Sequence, residues 1–419
     1  MRIVYLNPSG HLGGAETSLC TLLASVRAAE PSFELRLILG EPGPLADMAR
    51  DLGVEVAVRP FPASLRRLGD AGRSRFESVS ALLTAAPATA RYAWKLASSL
   101  RNMRPDIIHT NGLKMHLLGA WTCPSGSSLI WHIHDYVGRR RIMRELMRPF
   151  RNRCTRVIAN SKSVAADVER VFPSIPIKPI YNAIDLERFS PGGSKLDLDA
   201  LAGLTPAAPG TIRAGLIGTF AKWKGHKVFL EALAGLPAGL PIRAYIIGAP
   251  IYQTIGSQWT RQELEQEVDR LGLRGKVGFT GFLGDVAPAI RSLDMVVHAS
   301  TDPEPFGMVI IEGMACGRAV IASQAGGASE LFRDGENALG HRPGDSDSLR
   351  QQIWRLANDP QLRCRIGQAG CKEAAELYQG KRLAHEVATI YRDLAAKPVP
   401  TTARAAHQPS FRATGQEPR

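Results

Sequence analysis

Short apolar runs recur along the chain and are separated by longer stretches of mixed polar and apolar residues. The runs are rich in Val, Ile and Leu, which is typical of buried parallel strands. The predicted strands occupy residues 2–7, 34–39, 54–58, 106–110, 128–133, 157–161, 177–181, 212–218, 243–248, 276–280, 295–299 and 319–323. The mixed stretches between them predict helices, and this alternation favours doubly wound parallel sheets in an α/β fold.

The length of 419 residues is too great for one ordinary hydrophobic core and predicts two domains. We expect the first domain to span residues 1–190 and the second residues 211–380, with a linker rich in Gly, Pro and Ala at 191–210. Residues 381–396 are predicted to form a closing helix. Residues 397–419, rich in Pro, Thr, Ala and Arg, are predicted to form a disordered tail.

Charge and cysteine content narrow the class of protein. The net charge of +13 suits an anionic partner, such as nucleotide phosphates, an anionic membrane or nucleic acid. No basic and aromatic recognition motif is present, so we do not expect nucleic acid binding. The six cysteines are scattered without a C-x-x-C pair, which argues against a disulfide framework and favours a reducing cytoplasm. The first residues form a strand pattern rather than a signal peptide, and no apolar run is long enough to cross a bilayer.

Two carboxylates separated by seven residues mark the most informative stretch of the chain. Glu304 follows a predicted strand, and the next helix is predicted to begin near Phe306. The backbone amides of Phe306, Gly307 and Met308 would then face an anion, while Glu304 and Glu312 could accept hydrogen bonds from sugar hydroxyls. This arrangement predicts a sugar-nucleotide site. The alternative is that Glu304 only caps the helix and Glu312 is solvated.

A glycine-rich loop follows the first predicted strand and ends in Gly13-Gly14 before a helix. Glycine lets the backbone approach a ligand closely, so the loop predicts a cradle for a phosphate or a sugar. The spacing is not that of the dinucleotide fingerprint. An ordinary tight turn is the alternative.

His134 lies at the carboxyl end of the predicted strand 128–133, where parallel sheets bind ligands. It could donate a hydrogen bond to a sugar hydroxyl or to a phosphate. The spacing of His132 and His134 would also suit a metal, but no further ligand cluster follows, so no metal site is predicted. The alternative is a structural histidine whose hydrogen bonds are satisfied within the core.

Eight arginines fall between residues 139 and 156, with Glu145 as the one acidic residue. Apolar residues recur among them at helical spacing. The pattern predicts a basic amphipathic helix over 139–153 that lies on an anionic membrane. The same pattern would also suit a helix that packs its apolar stripe on the core.

These motifs together resemble the family 4 retaining glycosyltransferases, also called glycosyltransferase group 1, which have the GT-B fold. The segment from Glu304 to Gly317 resembles the family's signature of two glutamates with seven residues between them. Further similar segments are GGAE at 13–16, the His134-Asp135 step, NAIDLERF at 182–189, GTFAKWKG at 218–225 and GGASE at 326–330. The resemblance runs from about residue 10 to residue 395.

The resemblance implies a GT-B protein with two Rossmann-like domains that face a cleft, and a helix at 381–396 that crosses back onto the first domain. It implies that the second domain holds a nucleotide-sugar donor, linked to UDP or GDP, as a substrate rather than a cofactor. Glu312 would bind ribose hydroxyls, while Glu304 and the amides of residues 306–308 would hold the sugar and the β-phosphate. Lys224 would stabilise the departing diphosphate.

The remaining site residues follow from the same resemblance. His134 would face the donor sugar, and the Gly13-Gly14 loop would contact the diphosphate or the acceptor. Gly248 and Phe282 lie in segments that resemble those bordering the nucleobase. Thr219 stands where the family commonly has an arginine, and Lys222 is a candidate to replace the missing cation.

The expected function is therefore metal-independent, retaining transfer of a hexose to a glycan or lipid-linked acceptor, in polysaccharide or glycolipid biosynthesis. Glu304, Lys224 and His134 are the predicted catalytic residues. We expect a cytoplasmic protein that can bind the inner face of the membrane. Three alternatives remain open: an epimerase or phosphorylase of the same fold, a basic non-catalytic binding protein, and an inactive scaffold with this fold.

Overall fold

The computed structural model describes residues 1–66, 75–250 and 256–396, except for the side chains of residues 75–83. The predicted tail, 397–419, lies outside the described residues. In the described ranges the strands are β1 (Arg2–Asn7), β2 (Glu34–Leu39), β3 (Glu55–Val58), β4 (Ile107–Asn111), β5 (Ser128–Ile133), β6 (Arg156–Ala159), β7 (Ile177–Pro179), β8 (Ile212–Ile217), β9 (Ile242–Ile247), β10 (Val277–Gly281), β11 (Met295–His298), β12 (Ala319–Ser323) and β13 (Leu339–His341).

The helices alternate with these strands. They are α1 (Gly14–Ala29), α2 (Pro44–Asp51), α3 (Ala63–Arg66), α4 (Arg75–Met103), α5 (Leu113–Thr122), α6 (Arg141–Met147), α7 (Lys162–Val171), α8 (Leu198–Leu201), α9 (His226–Ala234), α10 (Arg261–Arg270), α11 (Ala287–Arg291), α12 (Met308–Ala315), α13 (Ser346–Asn358), α14 (Pro360–Leu377) and α15 (Gly380–Ala396). Short 3-10 helices span Val137–Arg139, Arg148–Arg153, Lys222–Lys224 and Gly327–Glu330.

Two parallel sheets organise the chain, as the sequence predicts. The first has the strand order β3-β2-β1-β4-β5-β6-β7 and the second the order β10-β9-β8-β11-β12-β13. The order reverses between β1 and β4 in the first sheet and between β8 and β11 in the second. Such reversal points leave crevices at the carboxyl ends of the strands, where ligands of open α/β sheets bind.

Apolar side chains cover both faces of the first sheet, because successive residues of a strand point to opposite faces. Val4 and Leu6 of β1 pack in one core with residues of α4, α5 and α7. Ile3 and Tyr5 pack in the other core with residues of α1, α2 and α15. The two cores explain why the strands appear as almost continuous apolar runs.

The last helix, α15, belongs to the core of the first sheet although it follows the second sheet in sequence. Leu383, Val387, Tyr391 and Leu394 are buried there against residues of α1 and β1. Gly380 begins the helix close to α1, where an added Cβ atom would lie 2.5 Å from the hydroxyl of Ser25. Helix α15 therefore brings the chain back to the first sheet.

The segment 191–210 is anchored to the second sheet through helix α8. Asp199 of this helix is buried and accepts hydrogen bonds from Arg243 (2.6 Å) and from the hydroxyl of Tyr245 (2.7 Å). Arg213 also pairs with its carboxylate at 3.4 Å. The domain limits and the linker stay predictions, but this part of the proposed linker is packed rather than extended.

Two local predictions were wrong. The arginine-rich segment 139–153 is not one helix: α6 has seven residues and gives way to the 3-10 helix Arg148–Arg153, which contains Pro149 in its first turn. Proline lacks the amide hydrogen that would continue the α-helix. Strand β13 was missed, because its three residues are too few to show a pattern. Ser161 caps helix α7, since its side chain accepts from the amide of Val164.

Candidate active site

The carboxyl edges of the two sheets meet across the cleft. The hydroxyl of Tyr136, after β5, donates to the carbonyl of Glu304 at 3.3 Å and accepts from the amide of Gly327 at 3.3 Å. Ser18 of α1 lies 3.8 Å from the sulfur of Met308 in α12. The loops predicted to carry the site therefore lie at one interface between the sheets.

Glu304 is held by three donors at the end of β11. Oε2 accepts from the Ser300 hydroxyl and from Nε2 of His298, both at 2.6 Å, while Oε1 accepts from Nζ of Lys224 at 2.5 Å. The amide of Ser323 donates to Nδ1 of His298, so the hydrogen of a neutral His298 ring is on Nε2. Burial would raise the pKa of Glu304, but Lys224 and His298 hold it well below its usual range. The carboxylate is therefore ionised and engaged on both oxygens.

Lys224 reaches this carboxylate from the loop after β8. Gly225 follows it with a φ of 75°, and a side chain there would collide with the carbonyl of Ala299 at the end of β11. Glycine thus allows the loops after two neighbouring central strands to touch. Nζ of Lys224 also lies 4.2 Å from the ring centroid of Trp223. The structure brings together Lys224 and Glu304, two of the three predicted catalytic residues.

Helix α12 begins at Met308 and not near Phe306, so this prediction was wrong. Gly307 has a φ of 104°, which takes the backbone out of the helical region immediately before Met308. The ring of Phe306 is buried in the core, with ring centroids 6.1 Å from Tyr181 and 6.3 Å from Tyr378. The first helical amide is therefore that of Met308, and the side chain of Phe306 packs in the interior.

Glu312, about one turn into α12, contrasts with Glu304. It is partly exposed, and no described residue donates a hydrogen bond to its carboxylate. Burial raises its pKa to about 7, although Arg188 and Lys224 act in the opposite direction. Glu312 is thus poised between its neutral and ionised forms and has free capacity to bind a ligand.

The other predicted donor-site residues surround the loop after β8. The hydroxyl of Thr219 is buried without a hydrogen-bond partner among the described residues. Gly248 has a φ of 147°, and a side chain there would collide with the carbonyl of Gly218, so backbone packing alone requires glycine at 248. Phe282 follows β10 and is 65% exposed. These positions are compatible with a ligand but do not identify one.

Lys222 does not join Lys224 at Glu304. Its Nζ lies 4.7 Å from the ring centroid of Trp259, which Lys227 also approaches at 4.2 Å. In this arrangement Lys222 does not replace the arginine that the family commonly has at the position of Thr219.

In the first domain, Gly13 is the N-cap of α1, and a side chain added to Gly14 would meet no atom within 4 Å. Oε1 of Glu16 accepts from the Asn7 amide at 3.4 Å, and burial raises the pKa of Glu16. Gly14 thus faces open space, with the acidic side chain of Glu16 in the first turn of the helix beside it.

His134 is brought to the cleft edge of β5. Its ring centroid lies 4.1 Å from that of His132, and its Nε2 is buried without a partner among the described residues. Burial lowers the pKa of His134 to about 4, so the ring is neutral near pH 7. A neutral ring suits a sugar hydroxyl better than a role as a cation for phosphate.

Sequence reasoning missed three residues of this region, His298, Ser300 and Tyr136. It did not predict the contacts of Glu330, which lies in the GGASE segment. His298 and Ser300 stand two positions apart at the end of a strand, which places both side chains on one face. That alternation, just ahead of Glu304, was the available signal. The contacts of Tyr136 and Glu330 join distant parts of the chain and leave no local pattern.

Glu330 connects the two domains. Its carboxylate accepts from the amides of Lys162 (2.9 Å) and Ser163 (2.6 Å) at the start of α7, and from the Tyr181 hydroxyl (3.0 Å). Carboxylates are favoured at helix N-termini, where amide hydrogens lack partners and the helix dipole is positive. A side chain of the second sheet thus caps a helix of the first.

Across the described ranges, no group of three or more His, Cys, Asp and Glu residues could hold a metal ion. Metal independence stays a prediction. None of the helices described is both long enough and apolar enough to span a membrane.

Comparison with known proteins gives consistent matches. Residues 12–188 match the family model "Glycosyltransferase Family 4", and residues 207–373 match "Glycosyl transferases group 1". The D-inositol 3-phosphate glycosyltransferase of Streptomyces bingchenggensis is 30% identical over 245 residues, which are 56% of this chain and 52% of that protein. The lipopolysaccharide core biosynthesis glycosyltransferase LpsE of Rhizobium meliloti is 28% identical over 214 residues, 51% of this chain and 57% of that one. The chain thus spans little more than half the length of these relatives.

Among solved structures, HepE of Anabaena in complex with UDP-glucose is 26% identical, with a TM-score of 0.76 over 94% of this chain and 100% of that one. This likeness over nearly the whole chain confirms the predicted GT-B arrangement of two doubly wound sheets.

Proposed function

Because the chain belongs to the family 4, or group 1, glycosyltransferases, we propose that it transfers a sugar from a nucleotide-sugar donor to a glycan or lipid-linked acceptor. The observation that carries this proposal is the ion pair of Lys224 and Glu304 at the carboxyl edge of the second sheet. It puts a fixed positive charge where open α/β sheets bind ligands. The HepE complex supports UDP as the nucleotide of the donor.

In this proposal the donor diphosphate binds beside Lys224. The ammonium stabilises negative charge that builds on the departing phosphate, and electrostatic stabilisation of this kind often contributes more to catalysis than any other effect. Glu304 keeps that ammonium in place, since His298 and Ser300 fix the carboxylate itself. The positive N-terminal end of α12, at Met308, adds a second favourable interaction with phosphate. Glu312, whose carboxyl group has no partner among the described residues, accepts the ribose hydroxyls.

Transfer proceeds with retention and without a glycosyl-enzyme intermediate. Both oxygens of Glu304 already accept hydrogen bonds, and its low pKa makes it a weak nucleophile. The departing phosphate instead takes the proton of the acceptor hydroxyl, on the face from which the acceptor attacks. Since Lys224 and the helix end supply positive charge, activity should survive EDTA, and loss of activity with rescue by Mn²⁺ would contradict this.

Calorimetry with UDP, GDP and ADP tests the nucleotide, and UDP should bind most tightly. Transfer assays with UDP-sugars then test the reaction, because a transferase releases UDP in step with a glycosylated acceptor. An epimerase would instead convert the donor sugar without releasing UDP, and a phosphorylase would require inorganic phosphate. Failure of all three nucleotides to bind would contradict the proposal.

We place the enzyme on the cytoplasmic side of an anionic membrane, with a lipid-linked acceptor. Helix α5 packs between α4 and the arginine-rich segment 141–153. Each of the three carries a large exposed apolar side chain: Trp94 (67% exposed), Trp121 (49%) and Ile142 (47%). Exposed aromatic and apolar groups beside arginines are typical of surfaces that bind at the lipid headgroups. The six cysteines, free in the structure, suit a reducing compartment.

Vesicle sedimentation tests this placement. The double substitution Trp94→Ser and Trp121→Ser should reduce binding to phosphatidylglycerol vesicles, and so should high salt. Trp354→Ser is the matched control, because Trp354 is 47% exposed on α13 of the second domain. If the wild type does not bind these vesicles at low salt, the acceptor is soluble.

A further inference from the structure

A buried chain of hydrogen bonds runs from the last helix to the cleft edge of the first sheet. The hydroxyls of Tyr5 and Tyr391 are 3.0 Å apart, and Tyr391 lies 2.8 Å from Nδ1 of His109. Nε2 of His109 then lies 3.1 Å from Nδ1 of His132. Tyr5, Tyr391 and His109 have no exposed surface, and His132 is 3% exposed. None of the proposed catalytic residues takes part in this series of hydrogen bonds.

The donor and the acceptor of each hydrogen bond in this series follow from the Tyr5 hydroxyl, where the series ends. Tyr391 is the one partner of the Tyr5 hydroxyl among the described residues, so the hydrogen of Tyr5 must point to Tyr391 or remain buried without an acceptor. An unmade buried hydrogen bond costs more than a formed one gains. Tyr5 therefore donates to Tyr391, and Tyr391 donates to Nδ1 of His109.

The same logic assigns both histidine tautomers. A neutral His109 that accepts at Nδ1 carries its hydrogen on Nε2 and donates it to Nδ1 of His132. A neutral His132 that accepts at Nδ1 carries its own hydrogen on Nε2. Burial lowers the pKa of His109 to about 3 and that of His132 well below its usual value, which supports neutral rings.

The remaining hydrogen, on Nε2 of His132, has no acceptor among the described residues. The His132 ring stacks on that of His134, with 4.1 Å between centroids, at the cleft end of β5. An uncharged N–H there matches the lone pair of a hydroxyl or ring oxygen, whereas a phosphate would favour a cation.

We propose that Tyr391 is a positioning residue that fixes the tautomers of His109 and His132, so that Nε2–H of His132 donates to an oxygen atom of the donor sugar beside His134. This inference rests on the proposed function for the identity of the ligand but not for the tautomers. Helix α15 thereby sets the chemistry of a site in the first domain.

Nitrogen NMR of the full chain with ¹⁵N-labelled histidine tests the tautomers, with signals assigned by single histidine substitutions. His109 and His132 should both be protonated on Nε2. His116 is an internal reference that should carry its hydrogen on Nδ1 instead. The Thr110 hydroxyl donates its hydrogen to the carbonyl of Ile130, so Nδ1 of His116 must donate to Thr110. Protonation of His132 on Nδ1 in the wild type would overturn the proposal.

Two tyrosine variants separate positioning from packing. In Tyr5→Phe, the series of hydrogen bonds ends at Tyr391, whose hydroxyl must still donate to His109. The tautomers of His109 and His132 should therefore stay unchanged. In Tyr391→Phe, Nδ1 of His109 loses its donor, and both histidines should become tautomeric mixtures. Tyr92→Phe is the control, because it removes a buried hydroxyl that bonds only the carbonyl of Arg59 among the described residues. Identical tautomers in Tyr391→Phe and the wild type would overturn the role of Tyr391.

Calorimetry with UDP and UDP-glucose tests the ligand. UDP affinity should be unchanged in all variants, while the additional affinity conferred by glucose should fall on the order of three- to tenfold in Tyr391→Phe and His132→Leu, but not in Tyr5→Phe. Equal UDP-glucose affinity in every variant would overturn the contact with the sugar. If UDP does not bind the wild type, the proposed function fails, and the nitrogen signals still decide the tautomers.

Discussion

The two edges of the cleft hold their polar groups in different ways. On the second sheet, Glu304 and Lys224 form an ion pair, and Nε2 of His298 donates a further hydrogen bond to the Glu304 carboxylate. On the first sheet, His132 and His134 are neutral, and His132 forms an uncharged hydrogen bond with His109. The difference suggests a division of labour, in which the charged edge binds the diphosphate and the neutral edge binds hydroxyls.

Removing the cation of the charged edge should have the largest effect. Lys224→Ala should lower turnover about a thousandfold, or ~4 kcal/mol of transition-state stabilisation, because the departing phosphate loses its positive partner. Lys222→Ala is the control, since its ammonium lies over Trp259 and not at Glu304. Steady-state kinetics with a UDP-sugar measures both. Similar rates for the two variants would mean that the phosphate clamp lies elsewhere.

Neutralising the carboxylate of the same pair should cost stability. Glu304→Gln should lower the free energy of unfolding at pH 7 by about 3 kcal/mol, because Lys224 loses its buried partner. The pKa of Glu304 is lower in the folded state than its ordinary value of 4.5, so this stability is present above pH 4.5 and is lost as pH falls.

Urea unfolding at pH 7, 5 and 4 checks the expectation for Glu304. The gap between wild type and Glu304→Gln should narrow at pH 4. Glu336→Gln removes an exposed partner of Arg333 and should change stability by ~0.5 kcal/mol or less. A pH-independent gap at Glu304 would show that packing, not charge, explains the loss.

Glu312 should respond in the opposite sense. Glu312→Gln should weaken UDP binding by about 2 kcal/mol, since one acceptor of ribose hydroxyls loses its charge. Its pKa is raised from 4.5 to about 7, so the wild type loses stability as pH rises through that range. The variant should therefore unfold at higher urea than the wild type at pH 8 and at a similar concentration at pH 4. Lower stability of Glu312→Gln at pH 8 would refute the assignment.

The contact between the two domains should give the smallest effect. Glu330→Gln removes a charge from the N-terminus of α7, which is worth about 1 kcal/mol, and should slow turnover a few-fold by weakening the contact between the two domains. Small-angle scattering should show a larger radius of gyration for the variant, while Glu336→Gln should match the wild type. A slower variant without expansion would place the role of Glu330 in local packing.

Sequence patterns predicted those features of the fold that depend on residues close together in sequence. The apolar runs predicted the sheets, and the glycine after Lys224 was part of a recognised motif. The failures have equally local causes. The apolar spacing predicted a helix that continued past Pro149, but the α-helix ended before this proline. Gly307 has a positive φ, which the apolar residues around it did not predict.

The chemistry of the site was less predictable because it depends on contacts between distant positions. Lys224 and Glu304 are 80 residues apart, and Glu330 contacts amides 168 and 167 residues away. The saturation of Glu304 and the lack of a described partner for Glu312 therefore needed the structure. The hydrogen bond between Tyr391 and His109 joins residues 282 positions apart in sequence, so no motif could predict it.

The place of α15 has a consequence for the order in which the protein can be made. Domains usually fold during synthesis from the N-terminus onward. Here the first sheet lacks part of its apolar cover, and Tyr5 lacks its hydrogen-bond partner, until residues 383–394 have been added. The ribosome must therefore complete the second domain before the first can reach its final packing. The oldest part of the nascent chain is the last to mature, and the two domains should unfold as one cooperative unit.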